Sequence, residues 1–141
     1  MTRLEFHQPT GIVIQNIELT EMKRYIIDEF ETYWQQGSGD GYIDYCVDDN
    51  IKYSLLIGPN KKHGIYLHYI DNETDEHWLS LGNIYALDEV AETADEIYAS
   101  IGLFLPVEKA WEGVKEFLIS GKRTDLIEWI KPDIIPEDGN W

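Results

Sequence analysis

Twenty-seven carboxylates, four histidines and one cysteine carry most of the chemistry available to this 141-residue chain. The histidines are His7, His63, His68 and His77. A zinc site would want His or Cys ligands at short fixed spacings, such as H-E-x-x-H or a cysteine pair, and neither occurs. His68 and His77 fall on neighbouring predicted strands, near Asp71 and Glu76, so a weak metal site is conceivable there. Ordinary surface or half-buried histidines are the plainer reading. Cys46 could be a nucleophile, but nothing near it in sequence would activate a thiolate, and a buried cysteine is usually a small apolar residue. No G-x-S-x-G or Walker motif is present. GSGDG, residues 37–41, mimics a phosphate-cradling loop on paper. It follows a predicted helix rather than a strand, precedes no helix and carries Asp40, so we read it as a plain loop. Carboxylate pairs for glycoside hydrolysis can be picked at will from so many acids, and no pair stands out. The expectation is a chain with no catalytic residue, no metal and no cofactor.

Charge says more. Twenty-seven acidic against eleven basic residues give a net charge of −16. Such a chain repels nucleic acid and anionic membrane and attracts cationic surfaces. Solubility alone is one use for that charge, but its placement is uneven. No lysine or arginine occurs from residue 25 to 51, which holds Asp28, Glu29, Glu31, Asp40, Asp44, Asp48 and Asp49. None occurs from 63 to 108 either, a span rich in acids from Asp71 to Glu96. Long stretches of one sign repel themselves and cost stability, which favours a functional field.

The elements that would hold these residues follow from periodicity. The length suits one domain with one core. Residues 1–10 read as a loosely held leader without the apolar centre of a signal peptide, and residues 11–17 as a first strand. Thr20 can cap a helix running to about residue 36, with Met22, Tyr25, Ile26, Phe30, Tyr33 and Trp34 on its core face. Alternation then predicts strands at residues 42–47, 51–57, 65–70 and 77–81, with turns at 48–50 and 71–76 and a longer loop at 58–64. Residues 88–96 fit either a short helix or an acidic loop. An apolar run at 97–105 ends at Pro106, which opens a second amphipathic helix closed by Gly121. A short apolar segment around Ile127, Trp129 and Ile130 precedes an irregular tail, 131–141. The fold class is α+β: an antiparallel meander flanked by two main amphipathic helices.

Successive turns of a meander lie at alternate ends of the sheet. The turns at 48–50 and 71–76 therefore share one end and gather Asp48, Asp49, Asp71, Glu73, Asp75 and Glu76. Turns are polar in any protein, but this end is the sharpest binding site the sequence offers. Tyr42, Tyr66 and Trp78 fall on sheet positions of uncertain facing, where either core packing or an interface would suit them.

The last third of the chain carries a family resemblance. Ala110 lies early in the second helix, Phe117 and Leu118 near its end, Gly121, Lys122 and Arg123 at its stop, and Ile127-x-Trp129 beyond. This set resembles the C-terminal signature of the Imm1 family of bacterial immunity proteins. It departs from that pattern at Thr124, where a proline commonly follows the arginine. The resemblance implies an α+β fold and a role in neutralising a cognate toxin, often a nuclease or a nucleic-acid deaminase. Such an enzyme must present basic residues to its substrate, so an acidic partner could steer onto it and exclude that substrate. The expected protein is a cytoplasmic binding module, not an enzyme, with no nucleic acid or membrane among its partners. One cysteine allows no internal disulfide and fits a reducing compartment. A small carboxylate-dependent hydrolase and an acidic scaffold or regulatory protein are the other readings.

Overall fold

Strands whose side chains alternate in polarity must bury one face, and this chain solves that by placing helices on one side of a single large sheet. The computed structural model describes residues 1–141. In chain order, strands β1 (Thr2–His7) and β2 (Val13–Gln15) lead into a helical segment made of α1 (Leu19–Lys23), a π turn (Arg24–Asp28) and α2 (Phe30–Tyr33). Four long strands follow: β3 (Gly41–Val47), β4 (Asn50–Asn60), β5 (Gly64–Asp71) and β6 (Glu76–Leu81). Then come a hairpin, β7 (Val90–Ala94) with β8 (Ile97–Ser100), the short β9 (Phe104–Leu105), helix α3 (Val107–Ser120) and β10 (Glu128–Ile130). The sheet order is β10-β6-β5-β4-β3-β1-β2, with β9 added beside β5. The fold is α+β, and β3 to β6 form the antiparallel meander.

One face of the sheet packs on the helices. Phe6, Ile43, Leu55 and Leu67 meet Met22 and Ile26 of the first helical segment and Val114 and Phe117 of α3 in a core of 20 buried residues. Each such side chain contributes roughly 1.5–3 kcal/mol when fully buried. Gly113 lets α3 approach closely: a Cβ there would stand 2.7 Å from Leu67 Cδ1 and 2.7 Å from Ile127 Cδ1. The helix stops at Gly121, whose φ of 74° is left-handed and whose N–H reaches the Phe117 carbonyl. That is the stop expected of a glycine in this position. The opposite face is covered only in part, by a core of eight residues in which Tyr66, Leu79 and Leu81 meet Leu87, Ala99 and Leu103.

Several boundaries differ from expectation. Residues 2–7 are not a loose leader. They form β1, between β2 and β3, and Phe6 is fully buried. The first strand of the sheet is therefore β1, and the expected strand at 11–17 shrinks to the three-residue edge strand β2. Thr20 does not cap its helix; Glu18 takes the cap position without a side-chain bond. The helix itself widens into a π turn that redirects its second half, so that Tyr33 and Trp34 still reach the core. Gly58, Pro59 and Asn60 extend β4 instead of forming a loop. Pairing with β3 stops at Gly41–Ile57, so Pro59 needs no N–H for a neighbour on that side. Of residues 88–96, expected as a short helix or an acidic loop, Val90–Ala94 form strand β7, and the chain turns through Glu96 at φ 61° into β8, within the expected apolar run.

Candidate functional site

The turn after β3 consists of Asp48 and Asp49, both left-handed at φ 49° and 70°. Aspartate tolerates that region better than most side chains, and two consecutive positive φ values match the twist of a tight hairpin. The turn after β5 is organised by Asp71, whose Oδ1 accepts the backbone N–H groups of Glu73 at 3.0 Å and Thr74 at 3.3 Å. Both turns lie at the same end of the meander, as the strand register requires.

Their carboxylates are not equally free. Asp48 accepts a 2.7 Å bond from the Met1 amino group, Asp49 lies 3.2 Å from Arg3 Nη1, and Glu76 lies 2.6 Å from Lys131 Nζ. The amino group holds the Asp48 carboxyl below its ordinary range, and Lys131 does the same to Glu76. Lys131 and Arg123 also stand over the Trp78 ring, at 4.2 Å and 4.1 Å. The amino terminus, Arg3 and Lys131 thus pair with three of the six acids at this end, a neutralisation hidden in the sequence because these groups are remote from the turns. Asp71, Glu73 and Asp75 have no lysine or arginine within 4.0 Å; Asp75 faces only His77, at 3.6 Å.

Beside the acidic end lies an apolar patch that sequence reasoning missed. The 3-10 turn Pro132–Ile134 carries Asp133 next to Asp75 and Glu76 on one side. On its other side Ile134 shares a shallow depression with Ile84, Tyr85, Leu87 and Asp88. Tyr85 is 91% exposed, Ile84 53% and Ile134 47%. Periodicity could not find this patch, because its residues lie on irregular segments 50 positions apart in sequence.

Beside its eight-residue core, the second sheet face carries polar chemistry. His68 Nε2 lies 2.7 Å from His77 Nδ1 under the edge of the Trp141 ring. Burial, aided by His77, lowers the His68 pKa to about 4. Leu56, Tyr66, His68, Tyr98 and Trp141 border an adjoining groove of about 280 Å³. The buried Tyr66 hydroxyl has no hydrogen-bond partner, and burial raises its pKa. The expected neighbourhood of His68, His77, Asp71 and Glu76 is not one cluster, since Glu76 turns to Lys131. Glu5, His7 and Asp44 instead converge across β1 and β3, with one donor atom from each lying within 4.8 Å of the others. The leader reading of residues 1–10 concealed this group. Cys46 is buried and unpaired, and burial pushes its thiol pKa up, away from a reactive thiolate. Tyr42 is exposed on this face, Tyr66 is buried in the second core, and Trp78 packs at the margin of the main core.

No helix is long and apolar enough to cross a membrane. Comparison with family models, with curated proteins and with solved structures finds no match.

Proposed function

We propose that this chain is a binding protein of the immunity type, which neutralises a cognate toxin by covering its basic active-site surface in the cytoplasm. The observation that supports it most is the adjacency of free acids to exposed apolar side chains. Asp75 and Asp133 lie on one side of the Pro132–Ile134 turn, and Ile134 joins Ile84 and Tyr85 on its other side; Glu73 shares the β5–β6 turn with Asp75. Interfaces gain most of their affinity from a few aromatic and aliphatic anchors, and gain speed and partner choice from complementary charge around them. Only six of the 27 acidic side chains lie within 4.0 Å of a lysine, an arginine or the amino terminus. The remaining field is available to a positive partner, and a nuclease or nucleic-acid deaminase must carry such a surface to hold its substrate. Inhibition is then steric and electrostatic, with no bond made or broken by this chain.

Growth protection tests this reading. The chain is co-expressed with each candidate toxin domain found among the neighbouring genes, alongside the Tyr85→Ala and Glu73→Lys/Asp75→Lys variants. Rescue by the unaltered chain and failure of both variants at equal expression would support it. Equal rescue by all three removes this surface from the interface, and no rescue by any removes the immunity function.

A further inference from the structure

We propose that Glu5, His7 and Asp44 form a binding site for one divalent transition-metal ion, of the Mn²⁺, Fe²⁺ or Zn²⁺ class. The backbone builds the group. Glu5 and His7 are two apart on β1 and so share a face, and Asp44 stands directly across from Glu5 on β3. His7 Nε2 lies 3.2 Å from Asp44 Oδ2 and 3.9 Å from Glu5 Oε1. An ion bonded at about 2.1 Å to each donor sets its ligands about 3 Å apart in adjacent positions and about 4.2 Å apart in opposite ones. Both separations fall within that span.

The way each ligand is held points to a metal more than to a plain ion pair. Asp44 uses its other oxygen, Oδ1, to accept a 2.7 Å bond from the Ser54 hydroxyl, and Ser54 is itself held by Asn72. Glu5 uses its other oxygen, Oε2, to accept a 3.1 Å bond from Arg3 Nε. One oxygen of each carboxylate is thus tied from outside, leaving Asp44 Oδ2 and Glu5 Oε1 turned toward the imidazole. The Tyr42 ring stacks on His7 at 4.2 Å and fixes its plane. Outer partners that orient ligands in this way are the usual surroundings of a metal. The independent sign is His7 Nε2 itself. It is closed to solvent and forms no hydrogen bond, although a carboxylate oxygen lies 3.2 Å away. A buried donor or acceptor left unmade is costly, and a metal at the meeting point of the three free atoms would satisfy it. Two oxygens and one imidazole nitrogen suit manganese, iron and zinc better than copper(I) or calcium. Three protein ligands leave further coordination positions for water.

The test uses the whole chain, stripped with chelator and titrated with Mn²⁺ by electron paramagnetic resonance and with Zn²⁺ by calorimetry. The site predicts one ion per chain. Binding should be lost in His7→Ala and Asp44→Asn, and weakened about tenfold in Ser54→Ala, which touches only the outer shell. It should be unchanged in His77→Ala, which removes the other histidine pair. Because Asp44 is buried, the unaltered chain supplies a check free of folding effects: one equivalent of Zn²⁺ should move the imidazole ¹⁵N resonances of His7 and not those of His68 or His77. Absence of stoichiometric binding overturns the proposal. So does binding that follows His77 rather than His7.

Discussion

Ser80 on β6 closes a gap that β5 would otherwise leave open at Leu67. Its hydroxyl accepts the Leu67 N–H at 2.9 Å and donates to the Leu103 carbonyl at 2.7 Å. The strand pairs with β9 below this point and with β6 above it, so one side chain takes the place of a ladder bond at the changeover. Ser80→Ala should strand both groups in a fully buried setting. The expected loss is about 1–3 kcal/mol, the cost of buried polar groups without partners. Urea unfolding checks it: the midpoint should fall while the slope stays constant.

Phe6 fills the main core from a strand that its sequence context disguises. Phe6→Ala should cost about 3–5 kcal/mol, as for other large core aromatics. That is a large share of a typical domain's stability. Calorimetric unfolding would measure it, and a loss below about 1 kcal/mol would mean that β1 is peripheral after all.

His68 makes stability depend on pH. Its folded pKa, about 4, lies below the ordinary 6.5. Between those values the unfolded chain binds a proton that the folded chain refuses. Stability is therefore intact above pH 6.5 and declines as pH falls toward 4, by on the order of 3 kcal/mol in total. Asp48 and Glu76, whose pKa values are lowered, add to the decline only in the carboxylate range further down. Unfolding midpoints across the window between them should slope in the unaltered chain and flatten in His68→Gln.

Tyr85 is the anchor to probe in binding, because its 91% exposure removes folding from the question. Tyr85→Ala should leave the thermal midpoint in place and weaken association with the proposed toxin partner by about 2 kcal/mol, the scale of an interface hot spot. Calorimetry on the complex and on the free chain separates the two effects.

The meander, the α3 stripe and the Gly121 stop were legible in the sequence, because strand alternation and helical spacing are local signals. So was the gathering of Asp48, Asp49, Asp71, Glu73, Asp75 and Glu76 at one end, since that follows from turn order alone. The pairing of half of these acids with Met1, Arg3 and Lys131 was not legible, because those partners are brought in by β1 and by the segment after β10. Residues 1–10 misled because Thr2–His7 mixes Arg3 and Glu5 with Leu4 and Phe6 beside a Gln-Pro-Thr-Gly stretch that reads as loop. A strand with one polar face over an uncovered part of the sheet carries that pattern. The same masking hid Glu5 and His7, which meet Asp44 only through β1–β3 pairing.

The most direct measurement is the salt dependence of affinity between the purified chain and the basic toxin domain proposed as its partner, sought among the products of neighbouring genes, for the unaltered chain and for Glu73→Lys/Asp75→Lys. An acidic face docked on a basic one predicts tight binding that weakens steadily as salt rises, and a charge-reversed variant that is weaker with a shallower slope. Binding that ignores salt, or a variant that follows the unaltered chain at every salt concentration, would contradict it.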